Sequence, residues 1–247
     1  MLAAMSSLED QGIYSLASNY GGLIARIVFQ PIEESSRNLF STLLPYNESR
    51  RQDTEAVRIA KSHLVDILQV YGILSAIAVP LVPAIVPLVL HTLGGHRWSS
   101  AKVDSLLSLY CYYIPFLAFN GITEAFVSSA AEPSELRRQT GWMGGFSACF
   151  GLAAYVFLEL CGLGARGLVL ANIVNMSVRT MWSYSFIASY FRRHESRLAF
   201  RDVSLHFSSY LAGFVMSILL ADQTRIVSNF HGSLGWLVVG TFYVCLM

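Results

Sequence analysis

Five polar or charged side chains interrupt an otherwise apolar stretch: Arg26, Gln30, Glu33, Glu34 and Arg37, at offsets 0, 4, 7, 8 and 11. At 3.6 residues per turn these offsets share one face of an α-helix. Such a face can pair internally, Arg26 with Glu33 and Glu33 or Glu34 with Arg37. It can also serve a polar solute, because guanidinium groups bind phosphate oxygens while carboxylates balance the arginines or take a cation. Two further stretches present faces of the same kind. One carries Asn120 and Glu124 at i and i+4; the other carries Asn172, Asn175 and Arg179 at offsets 0, 3 and 7. Pro31 sits inside the first face, where it removes a backbone donor and bends the helix.

The elements that position these faces are set by composition. Of 247 residues, 54% are hydrophobic and 13% charged, against roughly 25% charged in a soluble domain. Mean hydropathy is +0.49. About 20 apolar residues cross a bilayer core as a helix, and the sequence holds stretches of that kind at 12–44, 64–90, 103–131, 141–161, 167–191, 205–221 and 232–247. The expected fold is therefore all-α, a polytopic transmembrane bundle of about seven helices. Pro80, Pro83 and Pro87 near one end of the second helix, and Pro115 in the third, predict kinks or ends there. Tyr110, Tyr112 and Tyr113 read as interfacial belt residues. A charge inside a membrane is paired or faces a wet cavity. Three polar faces in one bundle suit a hydrated central cavity; the competing reading is that they glue helices together, with Arg37 snorkelling outward.

Basic residues in the short loops orient the bundle. Loops 45–63, 132–140 and 191–204 hold ten Lys and Arg; loops 91–102, 162–166 and 222–231 hold four. The positive-inside bias places the first set in the cytoplasm. The sequon at Asn47 then lies on the cytoplasmic side, and the one at Asn175 lies within a span, so neither should carry a glycan.

Other signals are weaker. Gly162–Gly167 reads G-x-G-x-x-G, but it joins two spans and the next acid is Glu195, which fits a tight interhelical turn better than a dinucleotide site. Cys111, Cys149, Cys161 and Cys245 have no C-x-x-C spacing and read as small hydrophobes. His91 and His96 are too sparse for a metal site. No catalytic set, ATP motif or D-x-D run is present, so the expectation is a non-enzyme without cofactor or metal. A formal charge of +1 gives no footprint for nucleic acid. Met1–Asp10 lacks the basic-then-apolar order of a signal peptide, and the last apolar run stops in mid-span at Met247.

The run Gly12-x-Tyr14-x4-Asn19, followed by Leu23-x-Ala25-Arg26-x-x-Phe29-Gln30-Pro31-Ile32-Glu33-Glu34-Ser35, closely resembles the Rft-type proteins of the endoplasmic reticulum. Asn120-Gly121-Ile122-Thr123-Glu124 and Leu170-Ala171-Asn172-x-x-Asn175-Met176-x-x-Arg179 resemble two further motifs of that family, in order and spacing. The resemblance implies the C-terminal lobe of a fourteen-helix flippase of the MATE-like multidrug/oligosaccharidyl-lipid/polysaccharide (MOP) superfamily, with the N-terminal lobe missing from this chain. It implies a role in N-glycosylation, at the step where dolichol-diphosphate-linked Man5GlcNAc2 reaches the lumenal leaflet. The alternatives are a non-transporting accessory or scaffold protein of the same pathway, or an inactive truncated fragment. The family's characteristic residues fall on Arg26, Gln30, Pro31, Glu33, Glu34, Asn120, Glu124, Asn172, Asn175 and Arg179. Expected partners are the lipid bilayer, the dolichol-linked oligosaccharide and the missing lobe.

Overall fold

A computed structural model describes residues 8–45, 54–94, 101–194, 196, 198 and 200–203. These residues are helical throughout apart from short connections. The expected helices 205–221 and 232–247 lie outside the described residues.

The first polar stretch forms a helix in two parts. Helix α1 (Leu8–Ile24) passes through a wide π-helical turn, Ala25–Phe29, into α2 (Gln30–Leu43). Pro31 stands in the first turn of α2, where a missing N–H is tolerated. Its ring excludes an ordinary bond to the carbonyl four residues back, and the widened turn sits directly before it. Helix α3 runs from Thr54 to Gly94 and α4 from Ala101 to Ala130. Helix α5 (Pro133–Tyr155) ends in a second wide turn, Val156–Leu160. Helix α6 covers Gly164–Arg193, and a short α7 covers Phe200–Val203.

The helices do not end at the prolines, and two of them start ahead of their apolar stretches. Pro80, Pro83, Pro87 and Pro115 end no helix: α3 continues through the first three and α4 through the fourth. The side chains of Pro83 and Pro87 lie outside the description. Helices α3 and α5 also start ahead of their apolar stretches, at Thr54 and Pro133. Their first turns are polar and held by local bonds. Arg58 binds Glu55 at 2.6 Å, and Glu132 and Glu135 form a capping box around Pro133, with the Glu132 N–H donating to Glu135 at 3.0 Å. Hydropathy marks where a helix is apolar, whereas caps mark where it begins.

Among the described residues, three helices are long and apolar enough to cross a membrane: Thr54–Leu81, Ser105–Ala130 and Pro133–Leu160. Helix α6 has the length, at 30 residues, but carries Arg166, Asn172, Asn175, Arg179, Arg192 and Arg193. Large apolar side chains point outward on several helices, among them Ile27, Val70, Leu74, Leu152, Leu160 and Met181. Lipid is the solvent that tolerates such a surface.

Helix α4 is the hub, packing against α1, α2, α3 and α6, while α5 packs on α6. The main core joins Phe40 of α2 and Leu44 just after it, Leu64, Leu68 and Tyr71 of α3, Ile122 and Phe126 of α4, and Ile187, Tyr190 and Phe191 of α6. At one end of the bundle the three Arg/Lys-rich connections meet: Arg193 pairs with Glu135 at 2.8 Å and Lys61 with Asp202 at 3.8 Å. Gln69 also donates to the Asp202 carbonyl at 2.8 Å. The glycine-rich run begins in the turn before α6 and continues into its first residues, with Gly162 and Gly164 at φ 61 and 53°. Such φ values favour glycine. No disulfide joins the described cysteines Cys111, Cys149 and Cys161.

Candidate functional site

The first polar stretch and the one holding Asn120 and Glu124 are brought together by the packing of α2 on α4. From α2, Gln30, Glu33 and Arg37 line one side of a cleft of about 290 Å³, with Phe29 at its edge. From α4 come Leu117, Asn120, Gly121 and Glu124, spaced at i, i+3, i+4 and i+7, and from α6 comes Met176. The close approach depends on Gly121. A Cβ there would overlap the Glu33 carboxyl group, so the carboxyl group rests on bare backbone.

Glu124 is held from two helices. One Arg179 guanidinium nitrogen donates to both its oxygens, at 2.8 and 2.7 Å. The Asn120 amide nitrogen donates to Oε2 at 3.1 Å. The Arg179 and Glu124 side chains are 24% and 27% exposed, so solvent screens this pair only partly. Glu33 and Arg37 form no ion pair among the described residues, although Arg37, Glu124 and Glu34 all act electrostatically on Glu33. The internal pairing of Glu33 or Glu34 with Arg37 is therefore absent; the pair that forms crosses from α4 to α6.

The remaining expected residues fall elsewhere. Glu34 is exposed and accepts a bond from Gln30 at 2.8 Å. Consecutive helical residues point about 100° apart, so Glu33 and Glu34 cannot both face the cleft. Asn172 lies away from it, donating to the Tyr14 hydroxyl at 3.3 Å and the Leu168 carbonyl at 2.9 Å. It ties α6 to α1. Asn175 is half-buried on α6 and does not line the cleft. The Arg26 side chain lies outside the description. Phe29, Leu117, Gly121 and Met176 were not among the expected site residues. Phe29, Gly121 and Met176 stood inside the quoted motifs, and Gly121 also showed as a glycine between Asn120 and Glu124 inside a helix.

Gly121→Ala should therefore displace the Glu33 carboxyl group while leaving the fold intact, because the obstructing atoms are the end of a flexible side chain. Expected stability loss is about 1 kcal/mol. A loss above about 3 kcal/mol in an unfolding titration would show that the glycine serves helix packing instead.

Taken together, these features define a class: a helical membrane bundle with a small polar cleft among apolar helices. The comparisons narrow it. The model of the family described as Rft protein matches residues 1–247, and the chain belongs to that family. It is similar to the protein of Candida glabrata named Man(5)GlcNAc(2)-PP-dolichol translocation protein RFT1, at 36% identity over 92% of this chain and 40% of that protein. Proteins of the same name in Yarrowia lipolytica and Mus musculus are 39% and 34% identical. Each match covers 76% of this chain, and 28% and 35% of the respective protein. The chain thus spans about two fifths or less of the curated relatives it matches. No solved structure matches.

Proposed function

We propose that this chain is the C-terminal lobe of a protein that moves dolichol-diphosphate-linked Man5GlcNAc2 across the endoplasmic reticulum membrane for N-glycosylation. The lobe would contain seven helices of a MOP-type fold and work with an N-terminal lobe, by rocking of one lobe against the other. The observation that carries the reading is the cleft itself. Two carboxylates, two amides and the Arg37 guanidinium line it, with Arg179 bonded to Glu124 behind them, in a bundle that carries large exposed apolar side chains. A polar headgroup crossing hydrocarbon needs such groups to replace its hydration, and arginine suits a diphosphate. The dolichol chain would stay in lipid. The relatives' names support the same substrate, and they describe translocation rather than catalysis.

The test is a lipid-linked oligosaccharide profile after depletion of the full-length protein in its own cells. Accumulated Man5GlcNAc2-diphosphate-dolichol, with later intermediates lost, is the expected result. An unchanged profile would remove the translocation reading. A second reading has one observation in its favour: Arg179 already holds Glu124, as a structural pair would. On that reading the protein is an accessory scaffold, and altering the pair lowers abundance rather than rate.

The orientation makes a separate prediction. With the Arg/Lys-rich end of the bundle in the cytoplasm, Asn47 stays unglycosylated in cells. A glycosidase-sensitive shift in mobility that Asn47→Gln abolishes would reverse the topology.

A further inference from the structure

Helices α5 and α6 run antiparallel, and two contacts fix how they lie. Arg193 meets Glu135 at 2.8 Å, and Phe146 meets Trp182 with ring centroids at 6.3 Å. Phe146 stands eleven residues after Glu135, and Trp182 eleven before Arg193, so the two helices advance in step. Arg138 is then level with Tyr190, and Trp142 with Phe186. Trp142 also stacks on Phe146, at 6.3 Å between centroids.

Helical rotation says which way each side chain turns. From the Phe146–Trp182 contact, Leu136 of α5 and Arg179 and Ile187 of α6 turn toward the core and α4. Arg138 and Arg192 each turn about 80° the other way, at 100° per residue. They therefore flank the outer groove between α5 and α6, at levels about 3 Å apart. Both are exposed, and neither forms an ion pair among the described residues. A hollow of about 440 Å³, lined by Ala188, Ser189, Arg192 and Leu198, opens on the same side of α6. Further along, the groove is apolar. Trp142 and Met181 are exposed, and a side chain added at Gly145 would meet only the Trp142 ring, at 3.6 Å.

Guanidinium groups bind phosphate oxygens, and tryptophan favours the depth between headgroups and acyl chains. Basic pockets between membrane helices take anionic headgroups. A zwitterionic phospholipid brings its own cation beside its phosphate, which two arginines repel; an anionic one meets both. We infer that the α5–α6 groove holds an anionic phospholipid. Its phosphate sits between Arg138 and Arg192, and an acyl chain lies along Trp142 and Gly145. This site is independent of the translocation reading, because Met176 and the polar cleft lie on the opposite side of α6.

The experiment reads tryptophan emission from the full-length protein in phosphatidylcholine vesicles, with brominated phosphatidylserine added as quencher. The part of the signal missing from Trp142→Phe belongs to Trp142. That part should be quenched saturably, reaching half its effect at a mole fraction at least about fivefold lower than with brominated phosphatidylcholine. Arg138→Ala and Arg192→Ala should each raise the half-point for phosphatidylserine at least about threefold. Arg137→Ala is the control. Arg137 is exposed on the same turn but turns about 180° from the Phe146–Trp182 contact, so its loss should leave the half-point unchanged. Equal quenching by the two lipids, quenching that Trp142→Phe does not reduce, or an equal shift from Arg137→Ala overturns the inference.

Discussion

Replacing Arg179 with alanine is expected to destabilise the protein by roughly 2–3 kcal/mol, below the value for a fully buried pair because both side chains are about a quarter exposed. The loss comes from Glu124, which would keep only the Asn120 amide as a donor. Arg179→Lys should recover part of it, since the charge returns without the guanidinium geometry. Glu124→Gln combined with Arg179→Gln should fall within about 1 kcal/mol of the wild type, because neither charge is left alone. An unfolding titration of the two single variants and the double variant measures the coupling. Additive losses would mean that the pair contributes nothing as a unit.

Phe126→Ala is expected to cost more, about 3–5 kcal/mol. Phe126 is fully buried and meets Phe40, Phe191 and Tyr190 with ring centroids at 5.0, 5.3 and 5.5 Å. It therefore joins α2, α4 and α6 at one point. Helices in lipid gain little from removing apolar surface from water, so the loss is one of packing and dispersion. Phe116, on the same helix and 37% exposed, supplies the control; its alanine variant should stay within about 0.5 kcal/mol of the wild type. Equal effects at both positions would mean that the α2–α4–α6 junction is not the centre of the fold.

Much of this arrangement was legible before any coordinates. Apolar stretches near bilayer length marked α3, α4 and α5, and the glycine run between α5 and α6 was readable as a turn from its neighbours. The polar starts of α3 and α5 were not, because Thr54–His63 and Pro133–Thr140 belong to helices through caps and local pairs rather than apolar period. The prolines allowed either a kink or an end, and the helices do not end at them. A single missing N–H within a long helix does not stop it when its neighbours carry the ladder onward.

The cleft divides in the same way. Offsets along one helix place Gln30, Glu33 and Arg37 on a shared face, and Asn120 with Glu124 on another. They do not say how two helices are rotated about each other. Consequently the Glu124–Arg179 pair, which spans α4 and α6, could not be read from spacing. Asn172 and Arg179 share a face of α6, yet the first meets Tyr14 of α1 and the second meets Glu124 of α4. One helix face has different neighbours at different heights.

The most direct measurement is exchange of Man5GlcNAc2-diphosphate-dolichol across liposomes that hold the full-length protein, comparing wild type with Arg37→Ala. Arg37 lines the cleft, its side chain is exposed and it forms no ion pair among the described residues. Its removal should therefore leave folding intact while taking away a contact for the diphosphate. The wild type should exchange the lipid and the variant should do so at least tenfold more slowly, equivalent to about 1.4 kcal/mol, at equal amounts of folded protein. Exchange at the wild-type rate in Arg37→Ala would contradict it.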